Sequence, residues 1–127
     1  MAKTRNTSDF FRSFQHAWRG LLIAFRTEQS FRIQIACGLV MLICLVLFPL
    51  STWERVVLLL GVTLVLVLEL LNSTVERLSD ALRPRMHDAV RDMKDVMAGA
   101  VLLASVMSIL IAILIFAPHL STLRQLL

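Results

Sequence analysis

This sequence predicts an all-α membrane protein: an N-terminal amphipathic surface helix followed by three transmembrane helices. Three observations carry that prediction. First, hydrophobic residues make up 57% of the 127 positions and charged ones only 17%, with a mean hydropathy of +0.77. A water-soluble domain this small leaves too much surface exposed to hide such apolar content, so a bilayer is the fitting solvent. Second, the charges are confined to a few stretches. Residues 33–53 and 96–123 carry none, and residues 56–75 carry only Glu69. Each stretch is long enough for the roughly 20 helical residues that cross a hydrocarbon core of about 30 Å. Third, three prolines, four glycines and no tyrosine give few turn signals between long apolar runs, which excludes an all-β chain.

The elements follow in order within a single membrane domain, residues 1–127. Ser8 is a candidate cap for a helix over 8–27, in which Phe10, Phe14, Ala17 with Trp18, Leu21 and Phe25 recur every three or four residues. Arg12, Gln15, His16, Arg19 and Arg26 fill its other face. Such a helix suits either a membrane surface, with arginines among headgroups, or a place packed on the bundle. Helices over about 31–50, 55–80 and 92–117 then contain the spans, the third crossing ending near Pro118. Residues 49–52 and Arg83-Pro84-Arg85 are the candidate turns. No internal repeat or low-complexity segment interrupts this order.

Orientation follows from the basic residues. Lys3, Arg5, Arg12, Arg19, Arg26 and Arg32 precede the first span, and Arg77, Arg83, Arg85, Arg91 and Lys94 lie between the second and third. Only Arg55 and Arg124 lie elsewhere. By the positive-inside rule the N-terminus and second loop are cytoplasmic, with the first loop and C-terminus outside. This bias accounts for the high isoelectric point without nucleic acid, since no basic run interleaves with aromatics. No apolar region ahead of a small-residue cleavage site is visible, so the first span is expected to be retained. Cys37 and Cys44 are seven apart on one helix, too far for a disulfide within the chain, and read as lipid-facing or packing residues.

The chemistry concentrates in residues 69–80. At 100° per residue Glu69, Asn72, Glu76 and Asp80 fall within one narrow helical face. If residue 56 marks the outer edge of the bilayer, Glu69 lies about 20 Å deep and Glu76 about 30 Å, at the cytoplasmic headgroups. An acid at such depth is costly and marks either a site or a helix-pairing contact. Glu28 and the Lys94-Asp95 pair fall on the same side of the membrane. Carboxylates beside cations at a water boundary suit Mg²⁺ with phosphate oxygens, and a carboxylate in low-dielectric surroundings is a stronger base than one in water.

The run Glu69-Leu-Leu-Asn72-Ser-Thr-Val-Glu76-Arg-Leu-Ser-Asp80, with Lys94-Asp95 and Ala98-Gly99-Ala100-Val101-Leu102 beyond it, resembles the prokaryotic diacylglycerol kinase and undecaprenol kinase family. Ala17, Gly20, Ala24, Thr27-Glu28 and Phe31-Arg32 extend the likeness, which runs without a gap from about Phe14 to Leu110. The resemblance implies a bacterial inner-membrane, multi-pass homotrimer with composite sites between subunits. Its activity would be transfer of the ATP γ-phosphate to a lipid hydroxyl at the cytoplasmic surface. Diacylglycerol is the first expected acceptor, giving phosphatidic acid, and undecaprenol the alternative. No P-loop or G-x-G-x-x-G occurs in the chain. By the same resemblance Glu69 is the general base, Glu28 and Glu76 hold Mg²⁺ on ATP, and His16, Glu28, Glu76, His87, Lys94 and Asp95 contact the nucleotide. Asn72, Arg32, Arg55 and Ala98 join Glu69 around the lipid.

The chain departs from the family pattern at Arg85-Met86-His87: the histidine matches, but Arg85 reverses the usual acidic charge. His16 stands where some relatives carry a nucleotide-stacking aromatic, and it equally suits a solvated helix face. Asp88 and Asp92 read as solvated acids. The rival from another class is a non-enzymatic small membrane protein, in which Glu69 relays protons or pairs helices. It needs none of Glu28, Lys94 and Asp95.

Overall fold

The computed structural model describes residues 7–82 and 87–126, with the side chains of residues 7, 8, 87 and 122–126 left out of the description. These residues form four helices: α1 (Thr7–Thr27), α2 (Gln29–Leu47), α3 (Thr52–Leu82) and α4 (His87–Leu126). The last three are long and apolar enough to cross a membrane. The protein is therefore an all-α membrane protein, as its composition predicts. The turn at Arg83-Pro84-Arg85 lies outside the described residues.

α1 begins at Thr7, one residue ahead of the candidate cap Ser8. Its aromatic face stays open within the chain: Phe10, Phe11, Phe14 and Trp18 are all exposed, and Ala24 is its buried residue. Between the two placements the sequence leaves open, packing onto this chain's own bundle is confined to the C-terminal half of α1. One extended residue, Glu28 (φ −107°, ψ 113°), separates α1 from α2. Arg32 reaches back across this break, its Nη1 donating to the carbonyls of Phe25 (3.4 Å) and Arg26 (3.3 Å). The last carbonyls of a helix have no partner within it, and a cation there also suits the helix dipole.

α2 stops because Phe48 precedes Pro49. The proline ring pushes its predecessor into extended backbone, and Phe48 has φ −92° and ψ 143°. α3 then starts on a reciprocal cap. Ser51 N–H donates to Glu54 Oε2 (2.7 Å) and Glu54 N–H to Ser51 Oγ (3.3 Å), which satisfies two donors that the first turn leaves free. With 31 residues, α3 is about 46 Å long at 1.5 Å per residue and outruns the hydrocarbon core.

α4 extends at both ends beyond the expected 92–117, and it continues through Pro118 rather than stopping near it. Proline removes one backbone donor and crowds the preceding turn. Side chains supply contacts around that point: His119 Nδ1 sits 2.9 Å from the Ile115 carbonyl, and Ser121 Oγ donates to the Pro118 carbonyl at 2.7 Å. His119 Nε2 also lies 3.9 Å from Glu54 Oε2, tying the end of α4 to the start of α3.

α3 is the central element, packed most extensively on α4 and next on α2. Near the Pro49 end Leu45, Leu50 and Leu58 form a buried cluster with Met41, Ile111 and Ile115 around it. Phe48 and Phe116 meet there edge to face, centroids 5.0 Å apart. In mid-span, contact depends on small residues. A Cβ added at Gly38 would stand 3.1 Å from Val62 Cγ1, and one at Gly61 3.1 Å from Ser108 Oγ. Much apolar surface remains open, with Val46 and Leu114 each at least three-quarters exposed. In a bilayer, lipid chains cover such faces at no hydrophobic cost.

Candidate active site

α3 places Glu69 where the sequence reading puts it, on a face turned inward and deep in an apolar segment. Glu69 is only 5% exposed, the most buried charged residue described. Its partner comes from α2: Gln34 Nε2 donates to Glu69 Oε2 at 3.2 Å. One turn along the same face lies Asn72, partly buried. Two buried side-chain oxygens among the described residues have no hydrogen-bond partner, and both belong to Glu69's neighbours: Gln34 Oε1 and Asn72 Oδ1. A buried acceptor left unpaired costs about 1–3 kcal/mol, and both such acceptors stand beside Glu69.

Toward the C-terminal end of α3 the stripe gathers ion pairs. Glu28, extended between α1 and α2, makes no capping hydrogen bond. Its carboxylate turns to α3 instead, where Oε1 accepts from Ser73 Oγ at 3.0 Å and from Arg77 Nη2 at 3.0 Å. Arg77 Nη2 also makes a short contact with Thr27 Oγ1. Further along, Glu76 Oε1 lies 3.6 Å from Lys94 Nζ of α4. Both pairs are partly open to solvent, with Arg77 exposed. A groove of about 440 Å³ runs between α1 and α3, lined by Ala17, Gly20, Ala24, Leu70, Ser73 and Arg77. Gly20 has nothing within 4 Å of where its Cβ would stand, so the groove is open in front of it.

Several residues expected at the site are thus brought together. Glu28, Glu69, Asn72, Glu76 and Lys94 line one side of α3 and the ends of its neighbours. Asp95 and Ala98 are exposed on α4 just beyond Lys94. His16 is exposed on α1 with its solvated face. Arg32 is engaged with the α1 carbonyls. Arg55 stands at the far end of α3, 14 residues and about 21 Å from Glu69 along the axis, and is not part of the cluster. The His87 side chain, Arg85 and Met86 lie outside the description.

Three contributors went unnamed as site residues by sequence reasoning: Gln34, Ser73 and Arg77. Gln34 does carry a signal, as an amide within the apolar stretch 33–48. Among the described residues no group of three His, Cys, Asp or Glu side chains gathers to hold a metal ion. Mg²⁺, however, takes one or two carboxylates and fills its other positions with phosphate oxygens and water. Glu28 and Glu76, hard oxygen donors partly open to solvent, fit that need.

Residues 15–116 match the family described as prokaryotic diacylglycerol kinase. The chain is 39% identical over 111 residues to the undecaprenol kinase of Bacillus subtilis strain 168, covering 87% of this chain and 90% of that one. It is 35% identical over 112 residues to the diacylglycerol kinase of Synechocystis sp. PCC 6803, covering 87% of this chain and 64% of the relative. The diacylglycerol kinase of Escherichia coli K12 is 27% identical over 117 residues, covering 90% and 96%. With its membrane helices and the acidic stripe of α3, this chain belongs to the prokaryotic diacylglycerol kinase family of membrane lipid kinases.

Proposed function

We propose that the protein transfers the γ-phosphate of ATP to the hydroxyl of a membrane lipid at the cytoplasmic surface, in a Mg²⁺-dependent reaction. The observation that carries this reading is the placement of Glu69: a buried carboxylate on the same side of α3 as the partly solvent-accessible Glu28, Glu76 and Lys94. Glu69 takes the proton of the lipid hydroxyl as its oxygen bonds to the γ-phosphorus. The bond from that phosphorus to the β–γ bridging oxygen breaks, and ADP leaves. Glu28 and Glu76 would hold Mg²⁺, which neutralises charge on the phosphate oxygens when bound. Lys94, Arg77 and Asp95 stand at the nucleotide end. Phosphoryl transfer asks mainly for positioning and charge neutralisation, which these groups supply.

For the acceptor, the greater identity to an undecaprenol kinase than to the diacylglycerol kinases above favours a polyprenol. This reverses the order expected from the sequence, where diacylglycerol stood first. Diacylglycerol remains the second reading, supported by the family match and by relatives of that name. Apolar pockets discriminate weakly between chains. We propose also that the protein acts as a homotrimer in a bacterial inner membrane. Supporting this are the sparse packing of α1 on its own bundle and the open walls of the site. The test is direct: purified protein in mixed micelles receives Mg-ATP with undecaprenol or with diacylglycerol, side by side. Faster phosphorylation of undecaprenol is expected. Product from diacylglycerol alone would restore the first order, and none from either lipid would defeat the kinase reading.

A further inference from the structure

Gln34 stands out once Glu69 is given the role of base, because the mechanism above does not use it and its surroundings do not explain it. It is a polar residue in a stretch otherwise suited to lipid. Its amide splits in two directions: Nε2 is 3.2 Å from Glu69 Oε2, while Oε1 is buried without a partner. Gln34 itself lines a cavity of about 250 Å³ between α2, α3 and α4, together with Gly38, Met41, Leu66, Ser105 and Ser108 among others. Two hydroxyls, Ser105 and Ser108, share that lining, but Gln34 hydrogen-bonds to neither of them. A leucine at this position would suit the cavity and remove the unpaired oxygen. The remaining feature that needs an amide is the Glu69 carboxylate.

We propose that Gln34 is a positioning residue for lipid phosphorylation, fixing the Glu69 carboxylate from the neighbouring helix. This rests on the reading of Glu69 as the base. One N–H donor on Oε2 restricts rotation of the carboxylate about its last torsion, a broad and soft one in glutamate. It leaves Oε1 directed away from Gln34 and available to a hydroxyl. The donor is neutral, so it holds the carboxylate without neutralising it as Lys or Arg would. It also sits on α2, whereas the base sits on α3, so the orientation of the base depends on the packing of these two helices. Gly38 against Val62, one turn further along α2, sets that approach.

The test is the kinetics of the full-length protein in mixed micelles with Mg-ATP and the lipid it phosphorylates, run for wild type, Gln34→Leu, Gln34→His and Glu69→Gln. Gln34→Leu keeps the bulk and removes the donor. Its kcat is expected to fall about 10- to 100-fold, in the range that a slightly misplaced group costs, with KM for both substrates within about twofold of wild type. Gln34→His restores an N–H donor of similar reach, and is expected to recover most of the lost kcat. A wild-type kcat in Gln34→Leu would overturn the proposal. So would a raised KM at unchanged kcat, which would make Gln34 a substrate contact. A Gln34→His variant as slow as Gln34→Leu would also overturn it, since then the shape of the residue and not its donor is what matters. Glu69→Gln separates this proposal from the reading beneath it. If that variant is fully active, the base assignment fails whatever Gln34 does. If it is inactive while Gln34→Leu runs at the wild-type rate, only the role of Gln34 fails.

Discussion

At the scale of single residues, the two ends of the acidic stripe make different demands. Glu69 is buried, and under the proposed base role its charge is what matters, so Glu69→Gln, which keeps the shape, is expected to lower turnover by about 10² or more while nucleotide affinity barely changes. A purely structural carboxyl would give the opposite pattern, because a neutral amide is cheaper to bury than an ionised acid. Lipid phosphorylation and nucleotide binding measured on one preparation distinguish the two. Glu28 and Glu76 are partly solvated and paired with Arg77 and Lys94, so Glu28→Gln and Glu76→Gln are expected to leave insertion and folding intact. Each should raise the Mg²⁺ concentration needed for half-maximal activity, and excess Mg²⁺ should recover part of the rate. Normal turnover at limiting Mg²⁺ in either variant would remove that residue from the metal site. The stripe itself was legible in the sequence, because residues on one helix share a face by rotation alone. Gln34, Ser73 and the Glu28–Arg77 pair were not, since they depend on how far α2 slides along α3. No periodicity in either helix encodes that register.

Among the elements, the apolar runs showed in the sequence because long charge-free stretches have no other solvent, but the helix ends were less legible. The Ser51-x-x-Glu54 signal lay in plain view, yet the third helix was expected to begin at 55, three residues after its observed start at Thr52. Local caps decide an end where hydropathy changes only gradually. Ser51→Ala removes the hydroxyl of this reciprocal cap and is expected to cost about 1 kcal/mol, read as a lowered midpoint of unfolding in micelles. Pro118 misleads in the other direction, as the end of a crossing but not of a helix. Helix contact is more sensitive than capping. At Gly61 a new Cβ would already crowd Ser108, so Gly61→Leu must push α3 and α4 apart, at an expected cost of about 1–3 kcal/mol for overpacking. Leu60, an exposed neighbour, already carries a leucine side chain without meeting α4 in that way. Leu60→Ala should therefore be nearly silent, and equal losses at both positions would contradict the packing described.

For the whole molecule, the decisive question is which side of the membrane meets the stripe, since ATP is available only in the cytoplasm. Glu28, Glu76 and Lys94 sit at one end of the bundle, and Ser51, Glu54 and His119 at the other. Eleven of the thirteen basic residues lie in the segments attached to the first end and two in those attached to the second. By the positive-inside rule a bias of that size predicts that the stripe faces the cytoplasm. Two exposed positions report on it, Thr52 at the start of α3 and Asp88 at the start of α4. With Cys37 and Cys44 replaced by alanine, Thr52→Cys is expected to react with a membrane-impermeant maleimide in intact cells. Asp88→Cys should react only after permeabilisation. The reverse pattern would put Glu28, Glu76 and Lys94 on the face that ATP does not reach, and no lipid could then be phosphorylated from the cytoplasmic pool however well Glu69 is placed.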